Sequence, residues 1–252
     1  MDRSIGDANL VSVNRQVLEN LLLDLQTVKV DFQGAVTTLI ALLQPALADF
    51  VPAVLRQRDY LTIYGGANSP YSISQMGCVI TSFAFLLNSV LKRNAYTPVD
   101  VQTRLAAAQG YAPNKVGILS NVIWGKLAEA FPVVQFVGPV QTTGNTVSPD
   151  LFARIDAHLS AGTPVLCQVD NSPITGIQQH WVALVQRIPS DPALPMKDYW
   201  IADPWWPDVD PVTSKPALTT LLSHYPQNIG LSKTVEHAIE ALAFYDRLAP
   251  AL

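Results

Sequence analysis

The chain has 252 residues, enough for one sizeable core with an appended element beside it. Hydrophobic residues make up 49% and charged residues 14%, which excludes an intrinsically disordered chain. The net charge is -4 and the 16 Lys and Arg residues are scattered, so no basic cluster marks a nucleic-acid or anionic-lipid footprint.

The first segment, residues 1–55, reads as helical. Leu18, Leu22, Leu25, Phe32, Val36, Leu39 and Leu43 recur at spacings of three and four, with Lys29 in the stripe. Pro45 and Pro52 break or kink it near its end. Two uses fit such a segment: a docking or oligomerisation helix, or a helix or helical hairpin folded onto the main domain. The low charge content also fits an apolar surface covered by a partner or by self-association through Leu18–Leu43. No apolar core follows Arg3, so a signal peptide is not expected. Phe32 to Ala48 is uncharged but is interrupted by Gln33, Gly34, Thr37, Thr38, Gln44 and Pro45, and falls short of a membrane span. The sequence leaves the location open between the cytoplasm and an assembled particle.

Residues 56–252 read as one domain. Arg56 to Ser74 is polar and rich in turn residues, hence a loop. Cys78 then opens a buried helix to Leu91, with Val79, Ile80, Phe83, Leu86, Leu87, Val90 and Leu91 forming a broad apolar face. Thr97-Pro98 is an N-cap followed by Pro at the first helical position, and Gly110 stops that helix. A third helix is predicted over Ile118 to Phe131, a short strand over Val133 to Val137, and a helix opening at Ser148-Pro149-Asp150 and ending at Gly162. Val165 to Val169, Trp181 to Arg187 and Tyr199 to Ala202 then read as strands of an antiparallel sheet. A last helix is predicted from Ser232 to Leu248. Helices first and a sheet afterwards make the class α+β.

Two cysteines are the minimum for a disulfide, but their settings argue against one. Cys167 lies in the apolar run Val165 to Val169, where it behaves as a small hydrophobe. Cys78 sits at a helix start, where unpaired N–H groups and the helix dipole favour a thiolate, the reactive form. Of the four histidines, His158 and His237 fall inside amphipathic patterns and His224 precedes Tyr225-Pro226 in a loop. His180 instead opens a strand directly after the polar loop Asn171 to Gln179, so it can project into a cleft while the strand fixes its backbone. Asp203 ends the next strand. If the two strands pair, its carboxylate can accept the Nδ1 proton of His180 and hold the useful tautomer. Trp205-Trp206 and the Asn171–Gln179 loop would rim the cleft, or the indoles would be core aromatics. Histidines and cysteines lack paired ligand spacing, and Gly65-Gly66 lacks a following Lys and helix, so neither a metal nor a cofactor is expected.

Gly77-Cys78-Val-Ile-Thr-Ser82, Thr97-Pro98, Gly162-Thr-Pro-Val165, His180-Trp181-Val182 and Asp203-Pro204 occur in one order across about Gln57 to Trp206. This set resembles the C39-like branch of the papain-like cysteine peptidases. The resemblance implies a helical lobe carrying Cys78, facing an antiparallel sheet that carries His180 and Asp203. It implies hydrolysis of a peptide bond through an acyl-enzyme, with a peptide or cell-wall peptide as substrate and the Cys78 N–H as one oxyanion donor. Gln75, Trp181 and Trp205 would contact substrate. The family commonly places a Gln six residues before the Cys, where this chain has Ser72. Gln57 is the preferred replacement and Gln75 the other; with neither in reach the fold would serve as a structural or assembly component, and the same triad also fits acyl transfer.

Overall fold

The structure, a computed structural model, describes residues 50–143, 146–169, 180–188, 198–225 and 235–248, the side chains of 236 and 237 excepted. By its internal contacts the chain divides after Phe50, and every helix and strand among the described residues belongs to the second unit, Val51–Leu252. The Leu18–Leu43 stripe and the Asn171–Gln179 loop lie outside the described residues.

Mixed helix and antiparallel sheet make up this unit. The polar stretch read as a loop carries a 3-10 turn at Gln57–Asp59, a two-stranded ribbon of Ile63–Tyr64 with Tyr71–Ser72, and a single-turn helix α1, Ile73–Met76. Helix α2 follows at Cys78–Leu91 and helix α3 at Pro98–Ala107. The side chain of Thr97 accepts from the Asp100 N–H at 3.3 Å, and the Asp100 carboxylate accepts from the Thr97 N–H at 2.8 Å. Helix α4 spans Trp124–Ala130 and helix α5 Pro149–Ser160.

The helix predicted over Ile118 to Phe131 is therefore only its second half. Leu119–Val122 pairs instead with Tyr111–Pro113, and a short helix begins after Ile123. The last segment departs further. Where the sequence pattern predicts a helix to Leu248, Val235–Ala238 makes one turn and Ile239–Ala243 and Tyr245–Arg247 are strands. Its helix-forming residues sit in a strand because the sheet supplies partners for the backbone and cover for both faces, which outweighs local propensity.

The central sheet has six strands: β1 Gln141–Thr142, β2 Val165–Val169, β3 His180–Ile188, β4 Asp198–Ala202, β5 Thr219–Thr220 and β6 Ile239–Ala243. Their spatial order is β5-β4-β3-β2-β6-β1, every pairing antiparallel. Both faces are buried. Leu166, Trp181, Ala183, Ala202 and Ala243 pack in a core with α2, whereas Cys167, Val182, Leu184, Ile201 and Leu242 pack in a second core with Phe152 and Ile155 of α5. Such double burial makes β3 a nearly unbroken apolar run rather than a polar–apolar alternation.

Helix α2 is the centre of the first core, with every residue from Val79 to Val90 buried. Phe83 meets Tyr245 edge-on at 5.0 Å and Phe131 at 5.7 Å between ring centroids. The Ser82 hydroxyl donates to the carbonyl of Trp181 at 3.0 Å, tying the second turn of α2 to the second residue of β3. Cys78 and His180 are the first residues of those two elements, so this packing fixes them near each other.

Candidate active site

Cys78 begins α2 and is partly buried. Its N–H is one of the four at a helix start that have no acceptor within the helix. Gly77 ends α1 and starts α2, and its N–H donates to Ile73 O at 2.8 Å. A Cβ there would lie 2.5 Å from Ile73 Cγ2 and 2.6 Å from Ile73 O, so the close join of the two helices requires glycine. Cys167 is fully buried in β2, where burial pushes its thiol pKa up, and both cysteines are free thiols.

His180 is buried at the head of β3, opposite Val169. Strand β4 pairs with β3 through Ala183 and Ala202, which brings the next residue, Asp203, alongside the ring. The His180 ring donates from Nε2 to Asp203 Oδ1 at 2.9 Å. This differs from the expected Nδ1 contact, and the Cys78 side chain is close enough to act on the ring's titration. Burial alone would lower the His180 pKa, but the Asp203 carboxylate and Cys78 together raise it to about 9. The imidazolium is accordingly the favoured form near neutral pH, and it stands beside the thiol.

Asp203 has no exposed surface, yet it is fully satisfied. Its Oδ1 also accepts the N–H groups of Trp205 at 2.8 Å and Trp206 at 3.1 Å. On Oδ2 it accepts the Tyr225 hydroxyl at 2.5 Å and His224 Nδ1 at 3.3 Å. Burial would raise its pKa, but bonds from His180, His224 and Tyr225 hold it well below the usual carboxylate range. Asp203 is thus a fixed anion. The sequence pattern singles out neither His224 nor Tyr225, and it places His224 in a loop. The available signal is their chemistry alone: a histidine and a tyrosine side by side, just before a proline.

Gln57 is buried, and its N–H donates to Pro204 O at 2.8 Å, tying it to the corner after Asp203. Its Nε2 is directed at the carbonyls of Ile73 at 3.5 Å and Ser74 at 3.4 Å, both long contacts, and its Oε1 has no partner among the described residues. Gln75 is exposed at the end of α1's first turn, where its Oε1 accepts the Ser72 N–H at 2.9 Å as a helix cap. Trp181 is buried against Trp124, ring centroids 4.5 Å apart, within the first core. Trp205 stands with Trp206 at the wall of a cavity next to Asp203, where the Arg58 guanidinium lies 4.2 Å from its ring centroid. The structure therefore gathers Cys78, His180 and Asp203, sets Gln57 against both flanks of them, and uses Gln75 and Trp181 in capping and packing.

Among the described residues no three His, Cys, Asp or Glu side chains are grouped to hold a metal ion. No helix among them is long and apolar enough to cross a membrane. No protein-family model matches the chain, and no curated protein matches it.

Proposed function

We propose that the chain is a cysteine peptidase or amidase of the papain-like, C39-like kind. One observation carries the reading: a buried His180 held by Asp203 on one ring nitrogen, with a cysteine at a helix start close enough to act on its titration. The helical part carrying Cys78 and the antiparallel sheet carrying His180 and Asp203 fit that family's division into two lobes.

In this reading the Cys78 thiolate attacks a peptide or amide carbonyl, forming a C–S bond and an oxyanion. The Cys78 N–H faces that oxyanion, and the start of α2 adds positive potential there. Collapse breaks the C–N bond, and the leaving amine takes a proton from the His180 imidazolium. Neutral His180 then accepts a proton from water as it attacks the thioester, and the acid product departs with Cys78 regenerated. Asp203 keeps the ring oriented and stabilises its charged form throughout. A cell-wall peptide is one candidate substrate. The same chemistry with an amine in place of water is acyl transfer.

A second reading has one observation in its favour. The Gln57 amide nitrogen is directed at the Ile73 and Ser74 carbonyls, so a second oxyanion donor is not set in place. That fits an assembly component which retains the fold with little activity. Digestion of a proteome-derived peptide library separates the two. New cleavage products made by the wild-type chain and absent with Cys78→Ser support the peptidase reading; identical product lists support the assembly reading.

A further inference from the structure

A cavity of about 400 Å3 opens beside the triad, with Arg56, Arg58, Trp205, Trp206, Asp208 and His224 in its wall. That volume falls in the range of about 300–1,000 Å3 typical of small-ligand sites. We propose that this cavity binds a carboxylate of a peptide, presented to the Arg58 guanidinium with Arg56 beside it.

The wall is built for such a group. Arg58 lies over the Trp205 ring at 4.2 Å and 5.7 Å from the Trp206 ring, and the two indoles meet at 86°. A guanidinium stacked on an indole loses little further freedom on binding and keeps its N–H edge turned outward, the geometry that grips a carboxylate with two parallel bonds. Neither Arg56 nor Arg58 has an ion-pair partner among the described residues. Two acids border the same cavity without answering them: Asp208 meets His224 Nε2 at 3.5 Å, and Asp59 is exposed. Arg58 occupies one face of the Trp205 ring, which a stacked sugar would otherwise use.

His224 connects the cavity to the catalytic residues, since it lines the wall and its Nδ1 lies 3.3 Å from Asp203 Oδ2. A carboxylate held there sits one side chain from the triad, as part of an extended peptide would. This placement rests on the peptidase reading, but the binding itself does not require Cys78.

Tryptophan fluorescence reads the cavity directly, because Trp205 and Trp206 form its wall. The Cys78→Ala chain would be titrated with acetyl-Ala-Glu-Ala-amide, acetyl-Ala-Gln-Ala-amide, acetyl-Ala-Ala-Ala with a free C-terminus, and chitotriose. Saturable quenching by a carboxylate peptide is expected, at least about tenfold weaker for the Gln peptide and for Arg58→Gln, as loss of a charge-assisted contact implies. Which carboxylate peptide binds more tightly decides between a side chain and a chain end as the source. Binding of neither carboxylate peptide more tightly than the Gln peptide, quenching by chitotriose alone, or no quenching at all would overturn the proposal. Those results would leave Cys78 reactivity in the wild-type chain untouched, so failure here and failure of the peptidase reading are told apart.

Discussion

The Tyr225 hydroxyl donates to Asp203 Oδ2 at 2.5 Å while His180 takes the carboxylate's other oxygen at 2.9 Å. A buried tyrosine, held protonated by burial and by the neighbouring anion, thereby fixes the plane of the group that orients the histidine. Tyr225→Phe removes one oxygen and leaves the ring packing intact. A hydrogen bond to a charged group contributes about 1.5–3 kcal/mol, so a loss of that size is expected in urea unfolding. If peptidase activity is found, kcat should fall with KM little changed, because the tyrosine acts through Asp203.

Asp203→Asn keeps the shape and removes the charge. Burial, which lowers the His180 pKa, is then opposed by far less, and its midpoint should fall from about 9 toward or below the ordinary 6.5. NMR titration of the His180 ring would follow it. A midpoint that stays where it is in the wild type would show that the carboxylate does not set it.

The pair also predicts how stability depends on pH. His180 has a raised pKa, so its contribution is complete below about 6.5 and is lost as pH rises through about 9. Asp203 has a depressed pKa, so its contribution is present above 3.8 and is lost as pH falls below that toward the folded-state value. The urea midpoint should therefore decline on both sides of the range from about pH 4 to 6.5. In Asp203→Asn both dependences should flatten.

Gly77→Ala tests the join before the nucleophile. A methyl group 2.5 Å from Ile73 Cγ2 forces α1 and α2 apart, with an expected cost of about 1–3 kcal/mol. Because the displaced residue precedes Cys78, thiol reactivity should fall as well. Ile73→Ala relieves the contact with Cγ2 but opens the core and keeps the contact with Ile73 O, so the double variant should recover part of the thiol reactivity without recovering stability.

The strands that carry chemistry are legible in the sequence because their backbones and burial agree with local pattern. His180–Ile188 and Asp198–Ala202 are apolar runs bounded by polar segments, and their pairing brings His180 and Asp203 together. Cys78 is legible through Gly77 and the apolar helix that follows. The other half of the Asp203 environment is not. His224 and Tyr225 reach it from a short helix, Leu221–His224, about twenty residues downstream, and no local spacing encodes that return. The last strands escape prediction for a related reason: Ile239–Ala243 is made of helix-compatible residues, and its pairing with Val165–Val169 and Gln141–Thr142 makes it a strand. The ring nitrogen is also out of reach of sequence, since whether Nε2 or Nδ1 faces Asp203 depends on the approach of two strands.

The most direct test of the central claim is the rate at which iodoacetamide labels each cysteine of the native protein between about pH 5 and 9, read by mass spectrometry. Wild type would be compared with His180→Ala and with His180→Gln, which retains polarity and volume. An activated Cys–His pair predicts that Cys78 labels quickly already near pH 6, that both variants lose this, and that buried Cys167 stays unlabelled until denaturant is added. Labelling of Cys78 that follows an ordinary thiol and is the same in all three proteins would contradict the pair and the peptidase reading with it.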